Sequence, residues 1–279
     1  MARILAISSF VAHGHVGLSA ILPALTRLGH EVIALPTILL SNHPGQTYRD
    51  EPRFAGTEVD PASLQRMLDA LDANGCLDET DAVMTGYMPS PAHVRFAQDA
   101  VTRVRTRPAG ALILVDPIIG DDPKGLYVDK AVAVAIRDQL LPIADVATPN
   151  CFELGWLAGQ PVEGLESALA ASEALVVPVM LATSIPASRN RLATVLIDNG
   201  HAHACAVPRL DGVPHGTGDF LAALFMAARL GGRSNVEALA LAAGGVAAAI
   251  AASQGFRELQ LVSSQESWSG ASPLPVEAL

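Results

Sequence analysis

The sequence is poor in cysteine. Cys76, Cys151 and Cys205 are the only three in 279 residues, and no two of them form a C-x-x-C pair. Closely paired thiols are the mark of zinc sites and redox motifs, so neither kind of site is indicated. An odd number of widely spaced cysteines fits a reducing compartment in which disulfide bonds do not persist, so the sequence predicts a cytoplasmic protein.

Positive charge is also scarce. Lys and Arg number 18 against 28 Asp and Glu, which gives a net charge of -10 and repels nucleic acids and anionic membranes. Only 16% of the residues are charged and 50% are hydrophobic, so the chain can bury a sizeable core. This balance favours a globular protein that acts on a small molecule.

No apolar run is long enough to span a membrane. The alanine-rich stretch from Ala238 to Ala252 falls short of the required length of about 20 residues and contains two glycines, so it predicts a packed core helix. The apolar start, Met1 to Ala12, has the length of a short signal peptide. We interpret Ile4 to Ser8 as a buried first strand instead, because an amphipathic helix follows where a cleavage site would stand.

Two common nucleotide-binding motifs are missing. Gly14-His15-Val16-Gly17 has the wrong spacing for the dinucleotide motif G-x-G-x-x-G, and no acidic residue ends the second predicted strand. The chain has no G-x-x-x-x-G-K-[ST] segment either. A dinucleotide-dependent oxidoreductase and a Walker-type site are therefore not supported. No third ligand accompanies His13 and His15, so no metal site is indicated there.

Short apolar runs alternate with stretches of helical period, which is typical of a parallel sheet covered by helices on both faces. The predicted strands are Arg3 to Ser8, Glu31 to Leu35, Asp81 to Thr85, Ala111 to Asp116, Asp145 to Thr148 and Leu175 to Leu181. Two more, Ala193 to Ile197 and His203 to Val207, flank Asp198-Asn199-Gly200 and predict a hairpin. No linker or repeat divides the chain, so we expect an α/β fold in one domain, residues 1–279.

Two segments break this rhythm. Leu40 to Glu58 is polar and rich in Pro and Gly, which is typical of a flap or lid. The stretch after Ser264 lacks periodicity and predicts a loosely ordered tail, residues 264–279.

The most specific local signal is Gly216-Thr217-Gly218-Asp219, which opens a strongly helical segment. Glycines let successive backbone amides converge on an anion, and the helix N-terminus adds its positive end, so the turn is suited to hold a phosphate. Asp219 would then lie close enough to accept the proton of a hydroxyl brought to that phosphate. The alternative is that Asp219 only stabilises the start of the helix.

Polar residues also follow two of the predicted strands, where ligands of open α/β sheets gather. Asn150 and Glu153, in Thr148-Pro149-Asn150-Cys151-Phe152-Glu153, could hold Mg²⁺ through water, or could simply form a capping box at the helix start. Asp116 and Asp121 could organise a cation or a phosphate, or could be ordinary turn residues.

Taken together, these segments resemble a known family across nearly the whole chain, from Arg3 to about Val262. The matching segments occur in the order seen in pyridoxal kinases: Ile4-Leu5-Ala6-Ile7, Gly14-His15-Val16-Gly17, Ser41-Asn42-His43, Gly86-Tyr87, Asp116-Pro117, Leu126-Tyr127-Val128, Thr148-Pro149-Asn150 and Gly216-Thr217-Gly218-Asp219. The resemblance implies a ribokinase-like fold, with a mostly parallel central sheet between helices and the active site along one sheet edge. It also implies a homodimer, ATP, Mg²⁺ and a monovalent cation such as K⁺.

The resemblance assigns roles to individual residues. Asp219 is similar to the catalytic base, and Gly216, Thr217 and Gly218 to the anion hole of the family. The expected ATP-binding residues are Asp116, Asp121, Asn150, Glu153, Thr183 and Ser184. The expected metal-binding residues are Asp116, Thr148 and Glu153. The expected pyridoxal-binding residues are Ser9, His43, Tyr87, Tyr127 and Asp219.

Two positions depart from the family pattern. His13 stands where relatives often carry Tyr, and Pro44 stands where a Thr commonly follows the Ser-Asn-His segment. Loss of that hydroxyl changes which polar groups of a substrate the pocket can recognise, so the preferred vitamer stays open. The expected activity is phosphorylation of pyridoxal to pyridoxal 5'-phosphate. The alternatives are a kinase for another hydroxymethyl compound, such as hydroxymethylpyrimidine, and a non-catalytic vitamer-binding protein.

Overall fold

A computed structural model describes residues 1–46, 53–107 and 110–279. Its main feature is a sheet in the order β12-β11-β10-β9-β8-β5-β4-β1-β2-β3. The strands of this sheet are β1 (Arg3–Val11), β2 (Glu31–Leu40), β3 (Gly56–Glu58), β4 (Ala82–Thr85), β5 (Leu112–Val115), β8 (Val146–Ala147), β9 (Val179–Ser188), β10 (Arg191–Asp198), β11 (His201–Pro208) and β12 (Glu277–Ala278). The two remaining strands form a small ribbon, β6 (Gly120–Asp121) and β7 (Gly125–Leu126).

The centre of the sheet is parallel. Each neighbouring pair from β2 through β1, β4, β5 and β8 to β9 runs in the same direction, and the pairs at the two edges are antiparallel. The helices that cover its faces are α1 (Leu18–Arg27), α2 (Pro61–Ala73), α3 (Pro91–Arg105), α4 (Lys130–Ala135), α5 (Cys151–Ala158), α6 (Leu165–Glu173), α7 (Thr217–Leu230), α8 (Asn235–Ala252) and α9 (Gln265–Ser269). The structure therefore agrees with the predicted mostly parallel sheet between helices.

The hydrophobic core lies on both faces of the sheet because alternate residues of a strand point to opposite sides. In β1, Leu5 and Ile7 belong to the core under α2 to α6, whereas Ile4 and Ala6 belong to the core under α1, α7 and α8. All four are completely buried. A strand buried on both faces has no polar side, which explains why this segment appears in the sequence as a continuous apolar run.

The alanine-rich helix packs inside the protein, as predicted. By length and composition α8 could cross a membrane, but Ala238, Leu239 and Ala242 are buried in the core that it shares with α7. Gly245 allows this close packing, because a Cβ there would lie 2.6 Å from Cδ1 of Leu224.

The predicted hairpin is confirmed, and its turn has the expected chemistry. β10 and β11 pair along their whole length, and the connecting residues Asn199 and Gly200 have φ angles of 50° and 79°. Asn and Gly tolerate this left-handed conformation, which matches the twist of the two strands.

The prediction of a strand from Leu175 to Leu181 was wrong at both ends. α6 ends at Glu173 and β9 runs from Val179 to Ser188, where a second hairpin leads into β10. The apolar residues Leu175 and Val177 pack against the core from the connecting loop, so burial there produced a strand-like pattern without a strand.

The expectation of a loose tail was also wrong. Trp268 in α9 is buried, its indole Nε1 donates to the Leu261 carbonyl at 2.7 Å, and its ring lies edge-on to Phe220 at 5.1 Å. Beyond it, β12 pairs with β11 at the sheet edge. The contacts of Trp268 and the pairing of β12 with β11 therefore hold a segment that has no periodicity.

The predicted flap, Leu40 to Glu58, begins at the last residue of β2 and includes β3, which pairs with β2, and residues 47–52 within it lie outside the described residues. The side chain of Asn42 joins the two described ends of this segment, because its Nδ2 donates to the carbonyls of His43 and Arg53. A lid motion stays a prediction.

Candidate active site

A cavity of about 510 Å³ opens at the carboxyl ends of the parallel strands. Asp116 follows β5, Thr148 follows β8, and Ser9 lies in the last part of β1. Parallel strands end at the same edge of a sheet, so residues far apart in the chain meet there. The predicted site residues that line the cavity are Ser9, His43, Tyr87, Asp116, Asp121, Tyr127, Thr148, Asn150, Glu153, Thr183, Gly218 and Asp219.

Three predicted residues are outside this lining. Gly216 and Thr217 lie directly beside it, as the N-cap and first residue of α7. Ser184 follows the lining residue Thr183 in β9 and has a φ of 58°.

The glycine turn at the start of α7 has a shape that other residues could not adopt. Gly216 has a φ of 98°, and a Cβ there would overlap the carbonyl oxygen of His15. By contrast, a Cβ on Gly218 would meet no atom within 4 Å, so the space in front of the turn is open. The turn therefore packs tightly on one side and leaves room for a ligand on the other.

Asp219 holds a carboxylate against this open space. Burial raises the pKa of Asp219 to about 6, and hydrogen bonds from the amides of Gly17 and of Asp219 itself act in the opposite direction. Its Oδ1 is buried and has no hydrogen-bond partner among the described residues. A buried acceptor without a partner is costly, and the cost is recovered when a donor from a ligand arrives.

Asn150 and Glu153 form the capping box that the sequence allowed. Asn150 Oδ1 accepts the Glu153 amide at 2.9 Å, and Glu153 Oε2 accepts the Asn150 amide at 2.9 Å. Glu153 Oε1 also accepts the amides of Ile119 and Gly120, at 2.7 and 3.4 Å. The carboxylate is thus already bound on both oxygens, which favours contact with a metal through water over direct coordination.

Negative charge accumulates at the floor of the cavity. The pKa of the buried Asp116 carboxyl is well above its usual value because of burial and the nearby carboxylates of Glu153 and Asp219, and the Thr148 hydroxyl counteracts this. Burial likewise raises the pKa of Glu153. Repulsion among these groups is relieved by a cation.

This donor set fits a hydrated Mg²⁺ ion, which takes oxygen ligands and keeps several waters. Within residues 1–46, 53–107 and 110–279, no group of three or more His, Cys, Asp or Glu side chains is close enough to hold a metal directly. Asp116, Thr148 and Glu153 therefore do not form a ready-made metal cage.

The upper wall carries the residues expected to contact an aromatic substrate. Ser9 packs against Gly17, where a Cβ would overlap the Ser9 hydroxyl and carbonyl. Tyr87 is positioned through its backbone, because its amide donates to Ser8 Oγ at 3.2 Å and its carbonyl accepts from Thr37 Oγ1 at 2.7 Å. Tyr127 covers the cavity from the loop after β7 and remains 49% exposed.

Comparison with known proteins gives the family of the chain. A family model described as phosphomethylpyrimidine kinase matches residues 55–262. The pyridoxal kinase PdxY of Deinococcus radiodurans is 37% identical over 277 residues, which cover 94% of this chain and 91% of the relative. The chain belongs to the pyridoxal kinase family. The PdxY of Rubrobacter xylanophilus is also 37% identical, over 274 residues that cover 95% of this chain and 93% of the relative.

A solved pyridoxal kinase has the same fold. The enzyme from Leishmania donovani, in complex with ADP and pyridoxamine, matches with a TM-score of 0.91 and 30% identity, and the match covers 100% of both chains. These matches confirm the predicted ribokinase-like fold and the prediction of an ATP-dependent kinase.

The structure of this pyridoxal kinase family member adds residues that the sequence did not single out. Lys124, His215 and the exposed ring of Phe54 line the cavity mouth. The rings of His43 and His215 lie 4.1 Å apart at an angle of 33°. Only their positions in the sequence could have pointed to Lys124 and His215. His215 directly precedes Gly216, and Lys124 lies shortly after Asp121, in the turn between β6 and β7.

A second cavity of about 270 Å³ lies next to the glycine turn of the kinase. It is lined by residues 210–214, which lead into Gly216, by Ile250 near the end of α8, and by Ser253, Gln254 and Gly255 just after this helix. It therefore lies beside the loop that leads to the expected phosphate site.

Proposed function

We propose that the protein transfers the γ-phosphoryl group of ATP to the 5'-hydroxymethyl group of pyridoxal. The hydroxyl oxygen forms a bond to the γ-phosphorus, and the bond from that phosphorus to the bridging oxygen of ATP breaks. ADP leaves with the bonding electron pair, and the hydroxyl proton passes to the carboxylate of Asp219. The products are pyridoxal 5'-phosphate and ADP.

One observation carries this proposal. Asp219 lines the cavity beside the N-terminus of α7, and its Oδ1 is a buried acceptor without a partner among the described residues. A pKa of about 6 leaves the carboxylate ionised at neutral pH yet basic enough to take a proton. A residue that only stabilised the helix would not need to line this cavity with an unpartnered buried oxygen, so the catalytic interpretation is favoured.

The amides of Gly216, Thr217 and Gly218 would surround the phosphoryl oxygens. Phosphoryl transfer needs mainly alignment and charge neutralisation, which convergent amides and the positive end of α7 provide. Thr183 and Ser184 would contact the remaining phosphates from β9. An isolated bridge between Asn150 and Thr183 brings that strand next to the start of α5, which supports a shared contact with ATP.

Asp116, Thr148 and Glu153 would hold Mg²⁺ through water, with Asp121 and Asn150 beside the nucleotide. When bound, the ion neutralises charge on the phosphate oxygens. The carboxylate oxygens of Asp116 remain available to the hydrated ion, because neither of them caps a helix. The same carboxylates attract a monovalent cation such as K⁺, for which the resemblance to the family is the support.

Ser9, His43, Tyr87 and Tyr127 would surround the pyridoxal ring. The pocket carries Pro44 at the position where a Thr hydroxyl commonly stands in the family. Without that hydroxyl, the pocket distinguishes less between vitamers that differ in their ring substituents. The Leishmania donovani enzyme has been solved with pyridoxamine and with pyridoxine. We therefore propose that this protein also accepts vitamers other than pyridoxal.

The adenine ring would occupy the second cavity. Residues 210–214 form one wall of it and continue into Gly216, so a nucleotide with its phosphates at the glycine turn has its base on this side. A homodimer and a cytoplasmic location are proposed from the family and from the cysteine content.

A kinase for hydroxymethylpyrimidine is the second candidate, because the matching family model carries a phosphomethylpyrimidine kinase description. The test is ADP release, followed with a coupled assay in the presence of ATP, Mg²⁺ and one alcohol at a time. Pyridoxal should give the highest kcat/KM in a panel with pyridoxine, pyridoxamine and hydroxymethylpyrimidine. A higher value for the pyrimidine would replace the first candidate by the second, and no turnover with any alcohol would contradict both.

A further inference from the structure

The cavity has an uneven distribution of charge. Four carboxylates line it, from Asp116, Asp121, Glu153 and Asp219. Among the described residues of the lining, Lys124 is the only Lys or Arg. A triphosphate is strongly anionic, so it enters against this charge unless a cation close to its path compensates.

Lys124 is placed to reach across the mouth. It lies in the turn between β6 and β7, and its Nζ is 3.4 Å from the position that a Cβ on Gly45 would take. Gly45 donates its amide to Nδ1 of His43 at 3.2 Å, and the His43 ring stacks on His215. Because His215 directly precedes Gly216, the ammonium lies on the side of the cavity that leads to the glycine turn.

The pKa values of the two neighbouring imidazoles are lowered. Burial, together with His215 and Lys124, lowers the pKa of His43 to about 4. Burial and Lys124 also lower the pKa of His215, against the opposing effect of Glu258 and Asp121. At neutral pH both rings are uncharged, so they do not compete with the ammonium for an anion.

We propose that Lys124 binds the non-bridging oxygens of the phosphoryl group during transfer, opposite the amides of the Gly216–Asp219 turn. The inference rests on the proposed kinase activity and names a further catalytic residue for it. The ammonium forms no covalent bond. Its contribution is a point charge next to the charge that spreads over the transferring group.

The first experiment compares Lys124→Met with Lys124→Arg, and uses Lys130→Met as the matched control. Lys124 and Lys130 are the only lysines in the chain, and Lys130 is exposed at the start of α4 outside the cavity. We expect Lys124→Met to lower kcat on the order of a hundredfold, as loss of one preorganised donor does. Its dissociation constant for pyridoxine should stay within about twofold, while Lys124→Arg recovers most of kcat and Lys130→Met equals the wild type.

The second experiment measures contact without turnover. With two lysines, acetylation by acetic anhydride followed by peptide mass spectrometry resolves Lys124, Lys130 and the terminal amine separately. A non-hydrolysable ATP analogue with Mg²⁺ should slow acetylation of Lys124 several-fold and leave Lys130 unchanged. Pyridoxine alone should have no effect on the acetylation of Lys124. Pyridoxine carries the phenolic oxygen of the pyridine ring but has no aldehyde that could react with the amine.

Two results would overturn the proposal. One is a Lys124→Met variant with unchanged kcat in a preparation whose wild type phosphorylates pyridoxal. The other is protection of Lys124 from acetylation by pyridoxine alone, which would show that the ammonium contacts the phenolic oxygen of the substrate. A wild type without kinase activity would instead contradict the proposed function, so the two failures are distinguishable.

Discussion

Glu153 Oε1 accepts the amide of Ile119 at 2.7 Å, and this hydrogen bond ties the first turn of α5 to the loop after β5. Ile118, just before it, has a φ of 44°, which is rare for a β-branched residue. The conformation turns the amides of residues 119 and 120 toward the carboxylate. Asp116 begins this loop and Asp121 lies in β6 at its end, so a structural hydrogen bond helps to position both carboxylates of the site.

Replacement of Glu153 by Gln should destabilise the protein. A neutral amide group in this buried position cannot accept all three backbone amides, and an unsatisfied buried donor costs about 1 to 3 kcal/mol. The midpoint of thermal or urea denaturation measures the change. Glu237→Gln is the matched control, because Glu237 completes an exposed capping box with Ser234 at the start of α8 and should cost less. Equal losses in the two variants would contradict the special role of Glu153.

Replacement of Asp219 by Asn should leave the protein folded and reduce kcat for pyridoxal by about 10² to 10⁴. The amide keeps the shape of the side chain but cannot take the proton of the hydroxyl. Strongly slowed ADP release in the coupled assay, with a near-native circular dichroism spectrum, is the expected result. Glu173→Gln, at the exposed end of α6, should be fully active. A fully active Asp219→Asn enzyme would show that another group takes the proton.

The activity should fall as the pH drops through the pKa of Asp219. The base works only when ionised, and its pKa is about 6, so log kcat/KM should decline with a slope of about one below that pH. The pH profile of the residual activity of Asp219→Asn should lack this limb. A wild-type profile that is flat between pH 5 and about 7 would refute the assignment.

The same carboxylate should affect stability with the opposite sign. Its pKa is higher in the folded protein than the value of about 3.9 in an unfolded chain, so protonation favours folding and this contribution is lost as the pH rises through about 6. At pH 8, Asp219→Asn should therefore raise the free energy of unfolding by about 1 to 2 kcal/mol. This gain should appear as a higher melting temperature. At pH 4 the two proteins should melt alike. A variant that is less stable at both pH values would contradict this.

Two glycines in one turn should respond differently to alanine. Gly216→Ala places a methyl group on the His15 carbonyl and forces a φ of 98° on a non-glycine residue, so it should destabilise the protein by more than about 1 kcal/mol. Gly218→Ala meets no atom within 4 Å and should melt like the wild type. Its methyl group would project into the space proposed for the phosphate, so a raised KM for ATP is expected. An unchanged KM would place the phosphate elsewhere.

Much of the fold could be predicted because the signals are local. The continuous apolar run in β1, the Asn199-Gly200 turn and the capping box at Asn150 each depend on a few neighbouring residues. β9 was misplaced because burial of Leu175 and Val177 in a loop gives the same apolar pattern as a strand. The tail was misjudged because its order depends on contacts with distant segments, such as that between Trp268 and Phe220, which lie 48 positions apart in the chain.

The sequence by itself determined the glycine turn with its acid, the capping box and the family, since these depend on residue type and short spacing. Only the tertiary structure decided which polar groups share one cavity. Lys124, His43 and His215 come from three separate loops, and only the ends of parallel strands bring those loops together. The tertiary structure also decided the charge states of the site. Burial raises the pKa of Asp219 and lowers that of His43, and this burial arises from packing between distant segments.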